Sequence, residues 1–127
     1  MKYFYSLRIS VADDKKNLVT EILNVTPTST KSFWCLDISE DENDEPVYFI
    51  SYFVNILESK FKDLESIGIE RDNITIWKLY EYDGQCNMEF DPQDLLKLGE
   101  NGITLCISCW QKDIEERNYP LGHSNKN

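Results

Sequence analysis

The stretch from Ser39 to Glu45 holds five carboxylates, Glu40, Asp41, Glu42, Asp44 and Glu45, and no basic residue; Asp37 just before it makes six. Carboxylates this dense can ligate calcium, pair for acid–base catalysis, or face a basic partner. A helix-loop-helix calcium site needs acids at positions one, three and five, a glycine at six and Glu at twelve. Asp41, Asn43 and Glu45 fit the first three, but Pro46 stands at the sixth and Tyr52 at the twelfth. Proline cannot adopt the positive φ that the sixth position requires. Paired-carboxylate catalysis is not singled out either, because acids are abundant along the whole chain. Unneutralised neighbours repel one another and extend, and a partner bearing Lys and Arg relieves that repulsion. Tyr48 and Tyr52 follow at helical spacing and can add aromatic anchors to such a surface. The run also reads as an acidic loop ahead of a helix N-terminus, where carboxylates complement the helix dipole. The residues leave both readings open.

The other chemistry-bearing residues point away from catalysis. Cys106 and Cys109 form a C-x-x-C, but the surrounding residues 103–110 alternate like a strand, which turns positions three apart to opposite faces. A redox pair of this type needs a helix N-terminus to activate its first thiol, and no second C-x-x-C or nearby His completes a zinc set. All four cysteines, Cys35, Cys86, Cys106 and Cys109, are expected as small buried hydrophobes. The single histidine, His123, lies in the polar tail, so designs that need a positioned imidazole are excluded. The five glycines form no phosphate-binding loop. The chain reads as a non-enzyme with no cofactor and no metal. Arg8 sits mid-strand opposite the apolar stripe, flanked by Ser6 and Ser10, where Thr104, Cys106 and Ser108 of the last strand can join it in a shallow anion pocket. An ion pair with Asp37 or Glu81, or a solvated face, is the alternative at that position.

These residues need a scaffold, and 127 residues suffice for one domain that buries roughly two-thirds of its unfolded surface. Residues 1–110 are expected as a single α+β domain and 111–127 as a polar tail. A hydrophobic fraction of 41% supports a globular core, and no apolar run is long enough for a membrane span. The opening residues alternate where a signal peptide would be continuously apolar, so a cytoplasmic location is expected. The net charge is −10. Residues 1–33 hold five basic and three acidic side chains, a balance of +2; residues 34–127 hold eight against twenty, a balance of −12. Such a field repels nucleic acid and anionic lipid and speeds encounter with basic proteins.

The elements follow from periodicity. Tyr3, Tyr5, Leu7, Ile9 and Val11 alternate as a half-buried strand. Asp13 and Asp14 offer a cap to a helix through Leu18, Val19, Ile22 and Leu23, stopped before Pro27. A second strand spans 33–39, with Trp34, Leu36 and Ile38 on one face. A long helix is expected over about 46–67, with Ile50, Phe53, Val54, Leu57, Phe61 and Leu64 on its apolar stripe and Tyr48 and Tyr52 opposite; Gly68 ends it. Residues 74–82 form a third strand. Asp83-Gly84 signals a turn into a short hairpin strand near 87–90. Asp91-Pro92 opens a third helix, and 103–110 is the last strand. The order β-α-β-α-β-β-α-β suggests an α+β sandwich, a mainly antiparallel sheet with helices on one face, in a ferredoxin-like arrangement with the first and last strands central.

The segments Phe4 to Ser10, Leu23 to Thr28, Trp34 to Ser39 and Leu105 to Ser108 resemble those of a family of short, uncharacterised bacterial proteins, a domain of unknown function spanning almost the whole chain. Members often carry a Gly-containing turn before the tryptophan, whereas Ser29 to Phe33 contains no glycine. The resemblance implies, as an expectation, an immunity protein that neutralises a cognate toxin domain; it carries no catalytic residues across. The partner expected from the charge is a basic protein such as a nuclease domain, met by Asp37, Glu40, Asp41, Glu42, Asp44, Glu45, Tyr48 and Tyr52. The alternative is a regulatory domain that binds a small ligand at the sheet face around Arg8.

Overall fold

A computed structural model describes residues 2–41 and 45–112. Glu42 and Asp44, and the tail from residue 113 with His123, lie outside the described residues.

The described residues form four strands and four α-helices, with two of the helices consecutive. β1 (Lys2–Ile9) leads through a 3-10 turn into α1 (Lys16–Leu23) and then β2 (Trp34–Asp41). Two short helices follow, α2 (Phe49–Leu57) and α3 (Phe61–Ser66), then β3 (Ile74–Tyr82), α4 (Pro92–Asn101) and β4 (Thr104–Gln111). The sheet order is β2-β1-β3-β4. β1 pairs antiparallel with both β2 and β3, while β3 and β4 run parallel. The fold is thus the expected α+β sandwich, with a mixed sheet.

One face of the sheet makes the core. Tyr5, Leu7 and Ile9 of β1, Trp34 of β2 and Ile74 and Ile76 of β3 are buried against Val19 and Leu23 of α1, five side chains of α2, Leu64 of α3 and Leu98 of α4. Trp34 is fully buried, and its indole N–H donates to Thr20 Oγ1 at 2.9 Å, pinning α1 to β2. Lys16 is buried too, pairing with Asp13 at 2.8 Å and donating to the Thr30 carbonyl at 2.6 Å. That ammonium holds the Asp13 carboxyl below its ordinary range, through the hydrogen bond first and its charge second. Asp13 therefore acts as a partner for Lys16, while Lys15 stands at the N-cap of α1 and no side chain caps the helix. Asp91 does cap α4, accepting from the Gln93 N–H at 3.0 Å with Pro92 in the first turn.

The expected hairpin strand at 87–90 is absent, and those residues carry no regular structure. The reason is geometric: a strand has two edges, and those of β3 are taken by β1 and β4. Parallel β3 and β4 need a long crossover, which α4 and its flanking loop supply. β4 consequently lies at the edge, so the central strands are β1 and β3, unlike the expected ferredoxin-like arrangement. The domain boundary expected at 110 falls one residue short, since β4 runs through Gln111 and the Lys112 N–H donates to the Tyr82 carbonyl. The single helix expected over 46–67 is two helices. Ser59 sits at φ +69 between them and ends the hydrogen-bond ladder. α2 begins at Phe49, so Pro46 precedes the helix. Gly68 ends α3 at φ +91, as its position foretells.

Candidate functional site

The acidic run divides among three environments. β2 extends through Asp41 because β1 begins at Lys2 and pairs along its whole length, Tyr3 opposite Glu40 and Lys2 opposite Asp41. Glu40 and Asp41 are therefore strand residues, where a loop was expected. Strand alternation sends Glu40 to the helix-covered face. There a single oxygen, Oε1, accepts from the Tyr5 hydroxyl at 2.9 Å and the Val47 N–H at 3.1 Å. This carboxylate ties the strand to the approach to α2. Asp37 and Asp41 point to the opposite face. Asp37 accepts from Ser6 Oγ at 2.6 Å. Glu45 is exposed on the approach to α2.

Tyr48 and Tyr52 are both exposed, as expected, although Tyr48 sits just before α2, outside the helix that the spacing assumed. Tyr48 is 74% exposed and Tyr52 46%. The Tyr52 ring meets Phe53 edge-on at 5.5 Å, which fixes its base while its outer surface faces solvent. Tyr48 lines a cleft of about 250 Å³ between the start of α2 and the start of α4. Its walls include Tyr5, Phe49, Ile50, Lys78 and Phe90, and acids come from Glu89, Asp91 and Asp94. Those three carboxylates lie some fifty residues along the chain from the acidic run. Nothing in the local pattern joined them to Tyr48; the packing of α4 beside α2 does.

Lys78 forms the floor of this cleft. It pairs with Tyr5 on the core face, and its ammonium lies within 5.5–5.8 Å of the rings of Tyr3, Tyr80 and Phe90. Burial lowers its pKa, and the Glu40 charge opposes that shift. The sequence reading passed over Lys78 because it looked like an ordinary polar position in the third strand.

Arg8 occupies the open face. Its Nε donates to Ser6 Oγ at 3.1 Å, and Ser6 donates onward to Asp37. The guanidinium lies 4.5 Å over Trp77 and 5.9 Å over Phe33. This relay lies between the expected alternatives, since Asp37 is reached through Ser6. Thr104, Cys106 and Ser108 do not join Arg8, because β3 lies between and places Trp77 opposite Ser6. A groove of about 220 Å³ opens beside Arg8, lined by Ser10, Phe33, Asp72, Asn73, Thr75 and Trp77. Asp72 makes it a poor fit for an anion.

The cysteines depart from expectation. Cys35, Cys86 and Cys106 are half-buried and Cys109 is exposed, because β4 is an edge strand. Cys106 and Cys109 do face opposite ways, beside Trp77 and Tyr80 respectively. Among the described residues no group of three His, Cys, Asp or Glu side chains could hold a metal ion, and no helix is long and apolar enough to cross a membrane. Comparison with family models, curated proteins and solved structures finds no match.

Proposed function

We propose that this protein is an immunity protein that binds a basic toxin domain, a nuclease in the leading form, and neutralises it by covering its active cleft in the cytoplasm of the producing cell. The observation that carries the reading is Tyr48, exposed at the mouth of a cleft rimmed by Glu89, Asp91 and Asp94. Aromatic side chains beside a carboxylate rim suit a partner that presents Arg and Lys, because the acids steer the encounter and the rings supply desolvated contact. A nuclease must offer a basic cleft to its phosphate substrate, so it meets this surface with opposite charge. Glu45, exposed on the approach to α2, extends the field there; Glu42 and Asp44 add two more carboxylates in the adjacent sequence. Asp37, on the other face, and Glu40, held by Tyr5 and Val47, contribute less to the contact.

The test begins with capture of the partner by tagged protein from source cells at low and high salt. Binding of that partner is then measured against Tyr48→Ala, Asp94→Lys and the double variant Glu42→Lys/Asp44→Lys. Tyr48→Ala should weaken binding by about 2 kcal/mol, as expected for an anchor. The charge reversals should slow association and flatten its dependence on salt. Wild-type rates in all three variants would place the interface elsewhere.

The Arg8 groove motivates the second reading, a small-ligand domain. Trp77 offers a flat apolar wall and Arg8 a cation already satisfied by Ser6. Thermal stabilisation by an uncharged aromatic ligand such as a nucleoside, lost in Arg8→Ala, would favour it over toxin binding.

A further inference from the structure

The sheet ends on two edges that are built differently. At the β2 edge the Thr28 N–H donates to the Cys35 carbonyl at 2.7 Å, and the Cys35 N–H donates to the Ser29 carbonyl at 2.9 Å. The Asp37 N–H donates to Thr28 Oγ1 at 2.9 Å, and β2 goes on to carry Glu40 and Asp41. A covering segment and charged side chains are two devices that keep an edge from pairing with another chain. β4, at the other edge, has neither. Its residues, Thr104–Gln111, include no charge and no proline, and its only neighbour among the described strands is β3. A strand paired on one side leaves a row of N–H and C=O groups along the other. Apolar exposure collects at the same end. Ile107 and Trp110 of β4 are 40% and 43% exposed, and Leu95 and Leu96 of α4, which packs against β4, are 48% and 52% exposed.

We propose that β4 pairs antiparallel with β4 of a second copy of this chain, joining two four-stranded sheets into one continuous sheet. The occupant follows from charge. A chain of net charge −10 repels its own copies over most of its surface, and β4 is a neutral seam along which two copies approach. A basic strand would find no carboxylate on β4. A strand of the same neutral, β-branched and aromatic composition matches it, and the second copy supplies one.

The pairing is isologous, with its two-fold axis normal to the sheet, so each contact is made twice. Side chains of one face must meet side chains of the same face, which fixes the parity of the register. Centred on Ile107, the seam sets Ile107 against its own counterpart and Leu105 against Cys109 on the helix-covered face. Thr104 then meets Trp110 on the open face. The exposed Ile107 and Trp110 both gain cover. β4 contributes no wall to the cleft beside Tyr48, so this pairing and the proposed toxin contact use different residues.

Sedimentation of the full chain over a wide concentration range, in moderate salt to screen the like charges, should show a monomer–dimer equilibrium. Ile107→Lys sets two ammonium groups opposite each other and should leave a folded monomer, checked by an unchanged circular dichroism spectrum. Leu18→Lys, at an exposed apolar position on α1, should dimerise as the wild type does. Isotope-filtered NMR on mixed labelled and unlabelled protein should give contacts between Leu105 and Cys109 across the two copies. A wild type that stays monomeric at every concentration, a folded Ile107→Lys that still dimerises, or loss of the dimer in Leu18→Lys would each overturn the proposal. So would intermolecular contacts from Phe4 and Trp77 of the open face in place of β4. Slow amide exchange along β4 in a monomeric chain would overturn it too, and would assign the edge to another segment of the same chain.

Discussion

Tyr5 concentrates the chemistry of the fold in one residue. Its ring stacks on Phe49 at 4.3 Å, and its hydroxyl donates to Glu40. Burial first, then the Glu40 hydrogen bond and charge, push the phenol far above its ordinary value. The folded state therefore holds a proton that the unfolded chain releases from about pH 10. The stabilisation that goes with this is complete below about pH 10 and is lost as the pH rises beyond it. Denaturant midpoints should fall progressively as the pH rises above about 10. Tyr5→Phe should be less stable by about 1 kcal/mol at neutral pH and should lose less on the alkaline side. Burial pushes Tyr80 the same way, so some slope should survive. An unchanged slope in Tyr5→Phe would assign the effect to other groups. The alternation of the first strand made Tyr5 legible as a core residue. Its acceptor was not legible, because Glu40 read as part of a loop.

At the scale of elements, the break between α2 and α3 rests on Ser59 at φ +69. A side chain pays about 1–2 kcal/mol in that conformation, whereas glycine pays roughly 0.5–1 kcal/mol in lost backbone freedom. Ser59→Gly should therefore raise stability in urea by about 0.5–1 kcal/mol, and Ser59→Val should lower it. A destabilised glycine variant would mean that the serine side chain holds the junction by some other contact. The apolar stripe from Ile50 to Leu64 was readable because burial imposes helical spacing on whichever residues face the core. The break was not, because Glu58, Ser59 and Lys60 include no glycine or proline to mark it. β4 shows the same division. Its strand character follows from alternation, while its edge position depends on β1 taking the other side of β3.

At the scale of the molecule, a net charge of −10 on 127 residues is self-repelling. Moderate salt should raise the thermal midpoint as screening shortens to about 10 Å near 0.1 M. A midpoint that stays flat from about 10 mM to about 200 mM sodium chloride would mean that local pairs such as Lys16 with Asp13 already balance the field. The same screening should slow association with the basic partner proposed above, so stability and binding rate should respond to salt in opposite directions.

The sequence alone determined the fold class, the apolar stripes, the caps at Asp91 and Gly68, and the outward direction of Tyr48 and Tyr52. Each follows from a local rule, because side-chain direction repeats every two residues in a strand and every 3.6 in a helix. The tertiary structure decided which distant residues meet. It brought Tyr48 to Asp94 and Tyr5 to Glu40, and it sent Asp37 to the face opposite Glu40. Those meetings depend on strand order and on the path of each connection, which long-range packing selects and no local period encodes.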